Sequence, residues 1–131
     1  MLKITYCMRR LPSLSREEFQ TYYRRKHTRV LSQEDGAKLK MRRYVQLHAL
    51  DEDACDALDM NRGGEPSFDA VAEIWLDDHE VWEQDWNSEE GHAVLRQLMD
   101  DEKNFIDWSR SVMTCSRELV MIDGPSTPGR G

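Results

Sequence analysis

Histidines, a set of tyrosines and one mid-strand glutamate are the residues of this chain best suited to move a proton. His27 closes the run Tyr22-Tyr23-Arg24-Arg25-Lys26-His27. Counted from Phe19, the residues Tyr22, Tyr23, His27 and Val30 fall on one stripe of a helix, so the imidazole is predicted on an inward, aromatic face. An imidazole exchanges protons near neutral pH, and apolar surroundings favour its neutral form, the form that acts as a base. The competing reading is a buried histidine that only caps a carbonyl, and position alone leaves both open. His48 alternates onto one strand face with Arg42, Tyr44 and Gln46. Tyr44 and His48 could supply a hydroxyl donor and a second acid–base group to a carbonyl or phenol, or form a polar interface. Glu73 lies mid-strand, where a charge needs a partner. It reads as a general base or, more simply, as one half of an ion pair. Tyr6, Tyr23, Phe68, Trp75 and Phe105 could line a flat apolar pocket for a ring-shaped substrate, though core packing accounts for each singly. His79 and Glu83 have a helical metal-pair spacing with His92 nearby, but no convincing third ligand accompanies them, so no metal is expected. No phosphate loop, dinucleotide fingerprint or nucleophile elbow is present.

The elements that must hold these residues can be read from local patterns. Residues 2–8 alternate and are rich in β-formers, which predicts a strand. Ser15-Arg16-Glu17-Glu18 has the form of a capping box and opens a helix predicted to run to about Leu31. Met41–Leu50 reads as a second strand, and 51–67, with Gly63-Gly64 and Pro66, as a long polar loop. Phe68–Leu76 is the clearest strand, with Phe68, Ala70, Ala72, Ile74 and Leu76 on one face and Asp69, Val71, Glu73 and Trp75 on the other. Helical patterning resumes at Asp78, breaks near Asn87-Ser88 and continues to about Glu102; Val112–Ile122 is the last strand. Strand, helix, strand, strand, helix, strand is the order of a split βαβ unit. It predicts an α+β, ferredoxin-like domain over 1–122, with a four-stranded antiparallel sheet and its helices on one face. The other face, with Val71 and Trp75, then asks for a partner, and a two-fold homodimer is the simplest one. Residues 123–131 read as a disordered tail.

Composition narrows the partners. The chain has 131 residues, enough for a single domain, and is 39% hydrophobic with a net charge of −7. That charge argues against nucleic acid or an anionic membrane as a partner. No window is apolar enough to span a bilayer, and the start MLKITYCMRR has no leader-like apolar run. Cys7, Cys55 and Cys115 are odd in number and widely spaced, which points to free thiols and a cytoplasmic location.

Four segments in order resemble the EthD-domain family: Ser15–Phe19 with Tyr22–His27, Tyr44–His48, Phe68–Trp75 and Asn104–Arg110. Tyr23 stands where the family often has tryptophan, and Arg29 where it often has proline. The resemblance implies a dimeric α+β barrel with a pocket beside the sheet and no cofactor. It further implies a small-molecule organic substrate, aromatic, polyketide-like or lactone, on which His27, aided by His48 and Tyr44, transfers a proton in a dehydration, decarboxylation, cyclisation or isomerisation, the work of a lyase or isomerase. Two alternatives follow from the same resemblance. One is a cofactor-free monooxygenase of a phenol or anthrone, and the other is a non-catalytic dimeric binding or stress module.

Overall fold

The computed structural model describes residues 1–125. Four antiparallel strands form one sheet: β1 (Leu2–Met8), β2 (Arg43–His48), β3 (Ala70–Leu76) and β4 (Val112–Arg117), in the order β2-β3-β1-β4. Consecutive strands are not neighbours at the β1–β2 step, because a helical crossover separates them. That is the ferredoxin-like arrangement. The register aligns Ile4 with Ile74 and Ile74 with Tyr44, and Tyr6 with Ala72 and Ala72 with Gln46. Directly paired residues share a face, so one side of the sheet carries Ile4, Tyr6, Met8, Ala70, Ala72, Ile74, Tyr44, Gln46 and His48.

That side packs on the helices. Helix α1 (Arg16–Arg25) starts in a complete capping box: Ser15 Oγ accepts from the Glu18 amide at 3.0 Å, and Glu18 accepts from the Ser15 amide at 3.0 Å. Its buried Phe19 and Tyr23 join Met8, Ala70, Ala72, Phe105 and Ile106 in one core cluster. Ile4, Leu39, Leu76, Val81, Trp86 and Val94 form a second. Between α1 and β2 lies α2 (Gln33–Lys38), and α4 (Glu89–Glu102) leads to β4.

Four local expectations need correction. The helix expected over 15–31 ends at Arg25, becomes a 3-10 turn at His27–Arg29 and restarts as α2. The Thr28 hydroxyl bonds the Arg24 carbonyl at 2.5 Å, and Ser32 caps the new helix by accepting from the Asp35 amide at 3.0 Å. The polar loop expected over 51–67 contains α3 (Glu52–Asp59), capped by Asp51 on the Ala54 amide at 2.9 Å. The helical pattern from Asp78 is wound as a π-turn over Val81–Trp86 before Ser88 caps α4. The last strand ends at Arg117 rather than Ile122, which leaves Leu119, Val120, Met121 and Ile122 exposed. Residues 126–131 of the expected tail lie outside the described residues.

Candidate functional site

A cavity of about 470 Å³ opens between the helices and the inner face of the sheet. Its floor is Ile4, Tyr6, Ala72, Ile74 and Tyr44, and its roof is built from Leu31, Leu95, Leu98, Trp86 and His27. Trp82, Met99, Trp108 and Met113 line it while remaining substantially exposed, so they mark its mouth. The lining is apolar apart from a few polar groups at one end, the usual make-up of a small-molecule site.

His27 is the first of those groups. It is buried in the 3-10 turn that follows α1, beside the rings of Phe105 at 5.0 Å and Tyr23 at 5.8 Å. Its Nδ1 lies 2.7 Å from Asp101 Oδ2. Asp101 Oδ1 accepts from the Tyr22 hydroxyl at 2.6 Å and from the Asn104 amide at 3.3 Å. Burial alone would raise the Asp101 carboxyl, but hydrogen bonds from Tyr22, His27 and Asn104 outweigh it and hold the group below the usual carboxylate range. An ionised Asp101 accepts the Nδ1 proton. Nε2 makes no hydrogen bond to protein among the described residues.

The second group is a pair of phenols. The Tyr23 and Tyr44 hydroxyls are 2.7 Å apart. Burial raises both above the ordinary tyrosine value, Tyr23 far above it, so both stay protonated. One bond between two hydroxyls leaves one hydrogen free to donate. The third group is Glu102. Its Oε1 accepts from the Tyr6 hydroxyl at 2.9 Å and from the Trp108 indole at 3.0 Å. Burial, reinforced by the Glu102 charge, likewise drives Tyr6 up and keeps it protonated.

Of the residues singled out from sequence, the cavity brings together Tyr6, Tyr23, His27 and Tyr44. His48 shares the sheet face with Tyr44 but packs on the Tyr23 ring at 5.5 Å and bonds Gln46 at 2.9 Å, without lining the cavity. Burial and the nearby Arg24 lower its pKa. Phe105 lies in the core beneath His27 and Tyr23. Phe68 packs under the Arg9 guanidinium at 4.4 Å. Glu73 and Trp75 are on the opposite face of the sheet, because alternation turns odd positions of β3 outward. There Glu73 pairs with Lys3, and Trp75 lies between Lys3 at 4.5 Å and Arg43 at 4.9 Å. These four residues therefore do not line this cavity. Asp101 and Glu102 did not stand out in the sequence. The signal available was two acids continuing the inward stripe Gly91, Val94, Leu95, Leu98 of α4, where apolar residues would be expected. His79 pairs with Glu83 at 3.1 Å on the surface, and no cluster able to hold a metal occurs among the described residues.

Comparison with known proteins bears on this arrangement. The EthD domain matches residues 11–109. The chain belongs to the EthD-domain family. An EthD family protein from Bacillus halodurans C-125 is similar in structure, with a TM-score of 0.56 at 18% identity, over 91% of this chain and 99% of that one. An EthD-like protein from Ralstonia eutropha JMP134 aligns with a TM-score of 0.54 at 16% identity, over 92% and 94% of the two chains. A dimeric protein of unknown function and ferredoxin-like fold from Bacteroides fragilis NCTC 9343 aligns with a TM-score of 0.56 at 8% identity, over 89% and 95%. No curated protein matches the chain. Likeness at these identities establishes the fold, and the EthD assignment rests on the domain match. Among the described residues no helix is long and apolar enough to cross a membrane.

Proposed function

We propose that this EthD-domain protein is an enzyme that transfers a proton on a small ring-containing organic molecule held in the cavity. The reaction is a dehydration, decarboxylation, cyclisation or isomerisation. The observation that carries this reading is His27: it lines an apolar cavity, Asp101 orients it through Nδ1, and Nε2 has no protein partner among the described residues. In this role Nε2 takes a proton from an acidic carbon of the substrate and returns it, or delivers it to a leaving oxygen. The free hydroxyl hydrogen of the Tyr23–Tyr44 pair donates to the carbonyl oxygen as it becomes an enolate. This chemistry uses only the chain's own imidazole and hydroxyls.

We further propose that the working form is a homodimer joined through the outer sheet face. Val45, Leu47, Val71 and Trp75 lie on that face and none of them is fully buried, and the similar Bacteroides fragilis protein is described as dimeric.

The test is deuterium exchange at C10 of anthrone, in D2O under argon, followed by mass spectrometry. The protein should accelerate exchange, and His27→Ala should reduce the accelerated rate by about 100-fold or more. Acceleration that survives His27→Ala would remove the assignment. The same incubation in air, with oxygen uptake recorded, distinguishes a cofactor-free oxygenase, which would also start by deprotonating anthrone.

A further inference from the structure

We infer that Glu102 is the specificity-determining residue of this cavity, and that its free carboxylate oxygen selects neutral ring molecules bearing a hydroxyl donor over carboxylates. The inference rests on the cavity being a ring-binding site, as proposed above, and of the reactions named there it disfavours decarboxylation, whose substrate is a carboxylate.

Glu102 lines the cavity, yet both of its protein donors, Tyr6 and Trp108, land on Oε1. Oε2 takes no hydrogen bond from protein among the described residues, and it is not among buried polar atoms lacking a partner, so it remains accessible. Oε1 is anchored from both sides, and that fixes the direction in which Oε2 is offered. A carboxylate oxygen accepts but cannot donate, so its natural complement is a hydroxyl. Among the described residues, no lysine or arginine lines the cavity. A bound anion would therefore meet Glu102 in apolar surroundings without a fixed cation, where like-charge repulsion and desolvation act together. The opposite arrangement, an arginine fork, is the usual device for holding a carboxylate. At the same end of the cavity, the spare hydroxyl hydrogen of the Tyr23–Tyr44 pair requires an acceptor. Together these groups describe a ligand with an apolar ring body, one hydroxyl donor for Glu102 and one carbonyl or ether acceptor for the phenols. Such a molecule is a phenol, enol or hydroxylated ketone in its uncharged form.

Equilibrium dialysis at pH 7 with three ring probes of similar size tests this. 2-Naphthol carries the donor, 2-methoxynaphthalene has lost it, and 2-naphthoate is anionic. The unmodified protein should bind 2-naphthol about tenfold or more tighter than the methoxy compound, and should bind 2-naphthoate least. Glu102→Gln keeps an acceptor for Tyr6 and Trp108 but replaces Oε2 by a donor. It should erase or reverse the preference for 2-naphthol and improve 2-naphthoate binding. Equal binding of the three probes to the unmodified protein, or an unchanged preference in Glu102→Gln, would overturn the Glu102 assignment and leave the ring-binding cavity standing. If none of the three binds, the cavity reading falls and the assignment with it. Should Glu102→Gln not fold, Glu102→Asp, which retracts the carboxylate by one methylene, makes the same comparison, and an unchanged preference there would equally overturn the assignment.

Discussion

Asp101 Oδ2 stands 2.7 Å from His27 Nδ1, across 74 residues of chain, while the other oxygen of the same carboxylate holds the Tyr22 hydroxyl at 2.6 Å. Tyr22 and His27 flank the end of α1, so one acid at the end of α4 secures both. The imidazole is set on a 3-10 turn rather than on a regular helix. Its orientation is therefore a property of this tertiary clamp more than of the local backbone.

Asp101→Asn should keep the shape of the clamp but remove its charge. The amide can present either oxygen or nitrogen to Nδ1, so the imidazole loses its fixed tautomer. Anthrone exchange is expected to fall about 10- to 100-fold, less than for His27→Ala, since the base itself remains. Nitrogen-15 NMR of His27 should show protonation shared between Nδ1 and Nε2, where the unmodified protein shows it on Nδ1. An unaltered tautomer with full activity would show that Asp101 has only a packing role.

Asp69 should govern the acid limit of stability. It is 2% exposed and accepts from the Arg10 amide at 2.8 Å, the Arg10 side chain at 2.6 Å and Arg16 Nε at 3.0 Å. Burial pushes its carboxyl up, but these hydrogen bonds and the Arg10 charge outweigh that and hold it below the ordinary value. A depressed native pKa contributes stability that is complete above the unfolded value near 3.9 and is lost as pH falls through the native one. Asp69→Asn should cost about 2–3 kcal/mol at neutral pH, somewhat less than for a fully enclosed pair because Arg10 is partly solvated. It should also flatten the stability profile below about pH 4. Urea unfolding from pH 2.5 to 7 reads both effects, and an unchanged acid slope would contradict them.

The proposed homodimer makes a separate prediction. Leu47 is 44% exposed on the outer face, in register with Val71 and away from the cavity. Light scattering after gel filtration should give twice the mass of one chain for the unmodified protein. Leu47→Glu should give one chain mass, because a charge without a partner is costly inside an apolar interface. A monomeric unmodified protein would end the dimer proposal.

Much of this molecule is written locally. Period-two alternation assigns β1 and β3 and divides their faces, so that Ile4, Tyr6 and Met8 are separated from Lys3 and Thr5 before any fold is known. The capping serines Ser15 and Ser88 place two helix starts, because the bond from the cap oxygen to an amide three residues on is made within one turn. The element order then leads to the split βαβ sheet. His27, Tyr23 and Phe19 share a helical stripe, which placed the imidazole inward.

What sequence could not decide depends on groups far apart in the chain. Which face of the sheet holds the cavity is settled by where α4 and the crossover pack, and that choice admits Tyr44 and excludes Glu73 and Trp75. The break after Arg25 turns on competition for the Arg24 carbonyl and on the cap at Ser32, a balance too small for patterning to resolve. Asp101 and Glu102 look like ordinary surface acids at a helix end until the fold brings His27, Tyr22, Tyr6 and Trp108 to them. Periodicity reports which way a side chain points. Only tertiary structure reports what it meets, because hydrogen bonds and cavities form between segments whose separation in sequence carries no local trace.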